Sequence, residues 1–230
     1  MANTKVTSRV IADNSVGITQ LNVSDGTDGQ VLKTNGAGTL SFGTVSGASS
    51  INDLSDAKTF GTGSIMMGDA TTGTIDAANY NTGFGIDVFE ALTSGDDNVA
   101  IGYQAGTDIT TGSQNVFLGK EAGHKTTTGT FNTGLGHQAY GTGGGSATTG
   151  SNNTAVGFAA GANYNDSTTA SIGANIFIGF AAGEGSATPS SNTGSENTAV
   201  GAYSLQDMTS AAQNTTLGYA AAKEMTTGSY

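Results

Sequence analysis

Apolar and polar positions alternate over short stretches of this chain, and one such stretch recurs from residue 64 onward. Two clear copies begin at Asn98 and Asn153 and read NVAIGYQAG and NTAVGFAAG. Counting the asparagine as position 0, position +1 is β-branched and position +3 is large and apolar in every copy with a leading asparagine. Because positions +1 and +3 share one face of a strand, each copy is predicted to open with a short strand whose +3 side chain enters a core. The predicted core residues are Phe84, Ile101, Leu118, Leu135, Val156, Ile178, Val200 and Leu217.

The copies follow one another at nearly fixed steps of 17, 17, 17, 21, 22, 22 and 17 residues. A ninth, degenerate copy (SIMMG) begins at Ser64, again 17 residues before the first asparagine. A fixed period in this range is typical of a stacked array in which each unit buries a face on the next. The sequence therefore predicts an all-β parallel β-roll, or solenoid, of about nine repeats over residues 64–230. We assign residues 51–63 to a linker and residues 1–50 to an extended N-terminal region.

Two columns of identical residues define the repeat. Stacked coils lie about 4.8 Å apart, so identical amides can form a hydrogen-bonded ladder along the stack. That ladder is predicted for Asn81, Asn98, Asn115, Asn132, Asn153, Asn175, Asn197 and Asn214, with ligand contact as a weaker alternative. Glycine at position +4 indicates a corner that excludes a Cβ or needs positive φ. These corner glycines are Gly85, Gly102, Gly119, Gly136, Gly157, Gly179, Gly201 and Gly218, and the alanine usual at position +7 predicts a second, tightly packed strand.

The apolar content of one repeat is small. A 17-residue unit offers two or three sizeable apolar side chains, each worth about 1.5–3 kcal/mol when fully buried. Backbone ordering costs about 1–2 kcal/mol per residue, so this core does not balance the entropy. The missing burial must come from another copy of the chain, which predicts a homo-oligomer.

Composition excludes several classes of protein. The formal net charge is −11, with 7 basic and 18 acidic residues, so a nucleic-acid surface is not expected. The chain has no cysteine, which removes disulfides, zinc knuckles and thiol chemistry. Its first residues lack the apolar core of a signal peptide, and no stretch approaches the ~18 apolar residues of a membrane span. We expect neither a cofactor nor membrane insertion.

No residue pattern typical of an enzyme stands out. Glycoside hydrolysis needs two carboxylates about 5–9.5 Å apart, whereas Asp96 and Asp97 are adjacent and point to opposite sides. His124 and His137 are the two histidines, and neither belongs to a hydrolase or zinc-protease motif. The protein is therefore predicted not to be an enzyme.

Three consecutive repeats are longer than the rest, and their extra residues lie within 141–147, 163–169 and 184–191. Insertions in a solenoid align along one edge, often the binding edge. An aromatic ring beside polar groups suits a sugar, so Tyr164, Asn163, Asn165 and Asp166 are candidate receptor contacts. The alternative is that these loops merely widen the shaft.

The repeat resembles sequences of two kinds of adhesive protein. The stretch from Asn98 to Ala105 is similar to the head repeat of trimeric autotransporter adhesins, and TGSNNTAVG at 149–157 is closer still to repeats in tail-fibre proteins of bacteriophages, notably those of cyanobacteria and other marine bacteria. Segments of the leader, VIADNSV at 10–16, DGTDGQVL at 25–32 and GAGTLSF at 36–42, resemble the virion-proximal parts of such fibres, and INDLSD at 51–56 resembles the linker that precedes their repeats. The resemblance spans nearly the whole chain.

The resemblance implies a left-handed roll intertwined as a homotrimer. It implies a virion structural protein of the phage tail, assembled in the host cytoplasm, whose residues 1–50 dock to a tail, nozzle or adaptor protein. The repeats would project toward a glycan or protein receptor on the host surface. A bacterial trimeric surface adhesin is the alternative, and a threonine-rich ice-binding solenoid ranks third. The next repeat is due at position 231, so we also expect these repeats to be part of a longer shaft.

Overall fold

The computed structural model describes residues 30–34, 40–44, 57–68, 77–141, 147–164, 173–186, 188 and 191–228. The chain divides into two compact units, residues 1–49 and 50–230. In the first unit, β1 (Gln30–Thr34) pairs with β2 (Leu40–Thr44) as an antiparallel hairpin. This hairpin lies within the segment expected to attach to a larger structure.

The second unit contains one ten-stranded sheet whose spatial order follows the chain from β3 to β12. Every neighbouring pair from β4 to β12 is parallel, and no α-helix occurs among the described residues. This confirms the predicted parallel β-solenoid, with one strand in each coil. The strands are β3 (Ala57–Phe60), β4 (Ser64–Gly68), β5 (Thr82–Gly85), β6 (Val99–Ile101), β7 (Val116–Leu118), β8 (Thr133–Leu135), β9 (Thr154–Val156), β10 (Ile176–Ile178), β11 (Thr198–Val200) and β12 (Thr215–Leu217).

Equivalent repeat positions stack directly on one another. Val99 pairs with Val116 across a 17-residue step, and Thr133 pairs with Thr154 across a 21-residue step. The longer repeats therefore keep the register of the sheet, since their extra residues leave the coil outside the strand. A register of this kind aligns each column of side chains along the stack.

The degenerate repeat at Ser64 forms the first coil. Strand β4 continues the parallel sheet, and the Ser64 hydroxyl accepts a hydrogen bond from the backbone N–H of Asn81 at 2.9 Å. Strand β3 runs antiparallel to β4 and covers the edge of this coil. The prediction that 51–63 is only a linker is therefore wrong for residues 57–60, which form the strand that protects an otherwise unpaired edge.

The prediction that position +3 fills the core of the chain is also wrong. Position +2 is buried instead, as Ala100, Phe117, Ala155 and Phe177 are each 0% exposed. Successive side chains of a strand alternate between faces, so burying +2 turns +1 and +3 outward. The residues turned outward, predicted as core, are Phe84, Ile101, Leu118, Leu135, Val156, Ile178, Val200 and Leu217.

The interior of each coil is filled by large side chains from different repeat positions. Phe117 fills one coil from position +2, and position +8 of that coil is Gly123, where an added Cβ would overlap the Phe117 ring. Where position +2 is Gly134, position +8 carries the buried Tyr140. The coil of Asn98 has small residues at both positions and buries Ile109 from position +11. Compensating changes of this kind conserve the volume of a close-packed interior.

The segment after the corner glycine is not a strand. Ala105, Ala122 and Ala160 at position +7 are buried, as expected for a tightly packed position, but each lies in a run of turns. Residues at position +6, such as Gln104 and Glu121, have φ near +55°, which is incompatible with extended backbone. The prediction of a second strand is therefore wrong, because these left-handed residues bend the chain around the coil.

Candidate interaction face

The eight repeat asparagines form a continuous ladder inside the solenoid. The Asn98 side-chain oxygen accepts from the backbone N–H of Asn115 at 3.0 Å and from its side-chain amide at 3.0 Å. The same pair of bonds recurs at every step from Asn81 to Asn214. All eight residues are at most 3% exposed, so the amides hold coils together and offer nothing to a ligand in solution.

Each asparagine also closes its own coil. The Asn98 amide donates to the carbonyl of Gly112 at 2.9 Å, and the Asn115 amide donates to the carbonyl of Gly129 at 2.9 Å. These carbonyls lie 14 residues beyond the asparagine, at the last corner of the coil. A buried amide with all of its groups bonded supports a single arrangement of the backbone.

The corner glycines are required by the close stacking of coils. Gly102 has a φ of +132°, and a Cβ there would lie 2.6 Å from the carbonyl oxygen of Gly119 in the next coil. Such an approach is far inside van der Waals contact, and that backbone region admits essentially only glycine. Positive φ, between 121° and 139°, recurs at the other seven corners: Gly85, Gly119, Gly136, Gly157, Gly179, Gly201 and Gly218.

The outer side of the sheet forms the most distinctive surface of the described part of the chain. We call this surface the strand face and define it by positions +1 and +3 of the eight asparagine-led coils. It carries no charged residue, although the chain has 25 residues of Lys, Arg, Asp and Glu together. Ile101 is 40% exposed, Leu118 37% and Ile178 39%. A long, regular and apolar surface of this kind marks an interaction site.

A column of aromatic rings runs beside the strand face in the later coils. Phe158 stacks on Phe180 with ring centroids 5.0 Å apart, and His137 meets Phe158 edge-on at 5.3 Å. Tyr203 continues the column from Phe180 at 5.2 Å, and Tyr219 follows at 5.8 Å. The rings use their faces and edges on one another, which leaves few open faces for stacking on a sugar. The column therefore extends the apolar surface around the corner.

Acidic and amide side chains alternate in the earlier coils at position +6. The Gln104 amide donates to Asp87 at 3.2 Å, and the Gln138 amide donates to Glu121 at 2.8 Å. Lys120 forms an ion pair with Glu121 at 2.9 Å, and these hydrogen bonds from Lys120 and Gln138 lower the pKa of Glu121. The charges that flank the strand face are thus paired along the stack.

Threonine hydroxyls in the closing turns face the backbone. The Thr93 hydroxyl donates to the carbonyl of Thr110 at 2.9 Å, and the Thr209 hydroxyl donates to the carbonyl of Thr226 at 2.7 Å. An ice-binding face presents its hydroxyls to water in flat ranks. These hydroxyls instead satisfy carbonyls of the neighbouring coil.

The structure contradicts the proposed receptor role of Tyr164. This side chain is 1% exposed, packs against Phe177, and donates its hydroxyl to the carbonyl of Gly194 at 2.7 Å. The longer coil makes room for a ring, and hydrogen bonding satisfies the hydroxyl there. Asn163 is half-buried and donates to the carbonyl of Gly185 at 3.4 Å. Asn165 and Asp166 lie outside the described residues, as does most of the expected insertion ridge.

The acidic and histidine side chains considered for catalysis are dispersed. Asp96 accepts a hydrogen bond from the backbone N–H of Asn79 at 2.7 Å, while its neighbour Asp97 is exposed. Burial lowers the pKa of His124, which lies beside the Lys125–Asp108 ion pair. Within the described ranges, no group of three or more His, Cys, Asp or Glu side chains could hold a metal ion. The same residues include no helix long and apolar enough to span a bilayer.

Sequence reasoning placed the apolar columns correctly along the chain but missed that the strand face lies outside the coil. A signal for this was present in position +2. Its residues vary between glycine, alanine and phenylalanine in step with the size of position +8, as expected for two positions that share one interior. Comparison with protein-family models, curated proteins and solved structures gave no match in any of the three.

Proposed function

We propose that this protein is a virion structural protein, a homotrimeric tail fibre that links a phage tail to the host surface during adsorption. The observation that carries the proposal is the strand face, which is apolar, uncharged and repeated in register along the solenoid. Three chains that turn this face toward a common axis would bury it and form a rod. The resemblance of the repeats and of the leader to phage tail fibres supplies the biological role.

The interior of the chain supports assembly with further copies. In the coil of Asn115, Phe117 is the large apolar side chain that is fully buried, and Ala122 is the small one beside it. One phenylalanine contributes about 1.5–3 kcal/mol, while ordering 17 residues costs about 1–2 kcal/mol each, and hydrogen bonds offset only part of the difference. Burial of the outward Val116 and Leu118 on another chain adds the missing apolar contact.

The size of the strand face fits a stable interface. Ten strands at about 4.8 Å each extend about 43 Å, and positions +1 to +5 span about 15 Å, which gives roughly 600 Å². That area equals the largest apolar patch of an ordinary monomer, and the flanking side chains raise it toward the roughly 800 Å² per partner of a specific interface. A second copy matches this face best, because it repeats with the same step between coils.

The N-terminal unit would attach the fibre to the tail, and the solenoid would project outward to a glycan or protein receptor. Antibodies raised against residues 64–230 provide the test, applied to the culture from which the sequence derives. Labelling of particle tails supports the fibre. Labelling of cell surfaces without particles would replace it by the trimeric adhesin, and monomeric protein would overturn both.

A further inference from the structure

Two columns of side chains border the strand face, one at each end of the strands. We call position −1, the residue before each asparagine, the leading edge, and position +5, the residue after each corner glycine, the trailing edge. Tyr80 and Phe131 on the leading edge are 59% and 54% exposed. Ile86, Phe158 and Phe180 on the trailing edge are 54%, 43% and 46% exposed. Both edges therefore present large apolar side chains to solvent in the isolated chain.

The leading edge keeps side chains where the backbone favours glycine. All eight of its residues have φ between 46° and 63°, in the left-handed region, and none of them is glycine. By contrast, four of the eight residues at position +8, which is also left-handed, are glycine. Side chains retained in a strained conformation indicate a use for them. The residues are Tyr80, Asp97, Gln114, Phe131, Asn152, Ala174, Glu196 and Gln213.

The two edges are complementary when compared within each coil. Ala174, the smallest leading residue, shares its coil with the large Phe180. Conversely, the ring of Phe131 shares its coil with His137, which is smaller than phenylalanine. Charges also fit, because the leading edge holds the acids Asp97 and Glu196, whereas the trailing edge holds a single lysine and no acid. The trailing residues are Ile86, Tyr103, Lys120, His137, Phe158, Phe180, Ala202 and Tyr219.

Symmetry determines which edges can meet. If the strand face points to a rotation axis parallel to the stack, the trailing edge of one chain lies beside the leading edge of its neighbour at the same height. An antiparallel pair of chains would instead place leading edge against leading edge, with the coil order reversed. The size and charge match within coils favours the first arrangement.

We infer that the leading edge of each chain packs against the trailing edge of a second copy, coil by coil and at equal height, so that the subunits close into a parallel ring. This inference rests on the proposed trimer and adds the partner surfaces and their register. The occupant of both edges is another copy of this chain, and the contact is heterologous.

Cysteine cross-linking tests the register, since the chain has no cysteine of its own. Glu196→Cys and Ala202→Cys place one thiol on each edge of the same coil. Within one chain these positions flank β11 (Thr198–Val200) and lie roughly 15 Å apart, too far for an internal disulfide. Under mild oxidation, the double variant should give covalent dimers and trimers on a non-reducing gel, with trimers dominant at completion. Each single variant should remain monomeric on that gel.

A control with unmatched heights sharpens the result. Glu196→Cys combined with Tyr103→Cys places the thiols five coils apart, about 24 Å along the stack, and should give no cross-link. Cross-links in a single variant or in this control would overturn the inference. So would a double variant that sediments as a trimer but does not cross-link, and that outcome would leave the trimer itself intact. A wild-type chain that sediments as a monomer would instead remove the proposed function.

Discussion

Removal of one ladder asparagine should destabilise the solenoid by an amount that depends on its height in the stack. Asn115→Ala removes the amide bonds to Asn98 and to the carbonyl of Gly129, and also the acceptor of two bonds from Asn132. The Gly129 carbonyl and the Asn132 N–H are then left buried with no other bond among the described residues. At about 1–3 kcal/mol for each unsatisfied group, the free energy of unfolding should fall by about 4 kcal/mol.

The last asparagine provides a matched control. Asn214 is 3% exposed, and its side-chain oxygen has no partner among the described residues. Asn214→Ala therefore orphans no N–H, and the carbonyls of Ala212 and Gly228 that lose the amide lie at the accessible end of the described stack. We expect a loss of about 1 kcal/mol, typical of hydrogen bonds that water can replace.

A serine tests whether the acceptor is the essential part of the side chain. Ser64 already occupies the ladder position of the first coil and accepts the N–H of Asn81. Asn115→Ser should therefore restore part of the stability that Asn115→Ala removes. The assay is guanidinium unfolding followed by circular dichroism at one chain concentration, because assembly makes stability concentration-dependent. Equal losses at positions 115 and 214, or serine no better than alanine, would refute the ladder argument.

Three further predictions concern the interior, the strand face and a buried histidine. Gly123→Ala should destabilise the protein strongly, and the same change should cost less in a Phe117→Ala background, where the ring that the new Cβ would overlap is gone. Ile178→Asp should dissociate the oligomer in sedimentation, whereas Thr128→Asp on an exposed closing turn should not. Burial lowers the folded-state pKa of His124, so its contribution to stability is present above the unfolded value near 6.5 and is lost as pH falls below it; His124→Gln should flatten that part of the pH–stability profile.

Each of these predictions has an outcome that contradicts it. Additive effects in the double-mutant cycle would mean that the two interior positions do not share space. Oligomers that survive aspartate on the strand face would place the contacts elsewhere. Unchanged pH dependence in the histidine variant would show that other groups control stability in acid.

The repeat positions of strands, ladder and corners follow from the sequence because each depends on local chemistry that recurs in register. Asn98 and Gly102 recur for reasons that hold in any stacked coil, namely amide pairing and the absence of a Cβ. The facing of the strand does not follow, because it depends on which side the rest of the coil covers. Uniformly apolar residues such as Leu118 indicate burial, yet a chain with two apolar faces does not reveal which one is internal.

Tyr164 illustrates a second limit. A tyrosine among asparagines and an aspartate suggests an exposed sugar contact, and only the path of the longer coil shows that the ring points inward. The hydroxyl found the Gly194 carbonyl, 30 residues away, as its acceptor. Non-local contacts of this kind leave no local pattern to recognise.

Sedimentation velocity of the purified chain tests the central claim most directly, because it reports mass and shape together. The account predicts a stable, elongated species of three 22.7 kDa chains, about 68 kDa, with no dissociation on dilution through the micromolar range. A compact monomer of 22.7 kDa would contradict it, since the strand face would then remain in water.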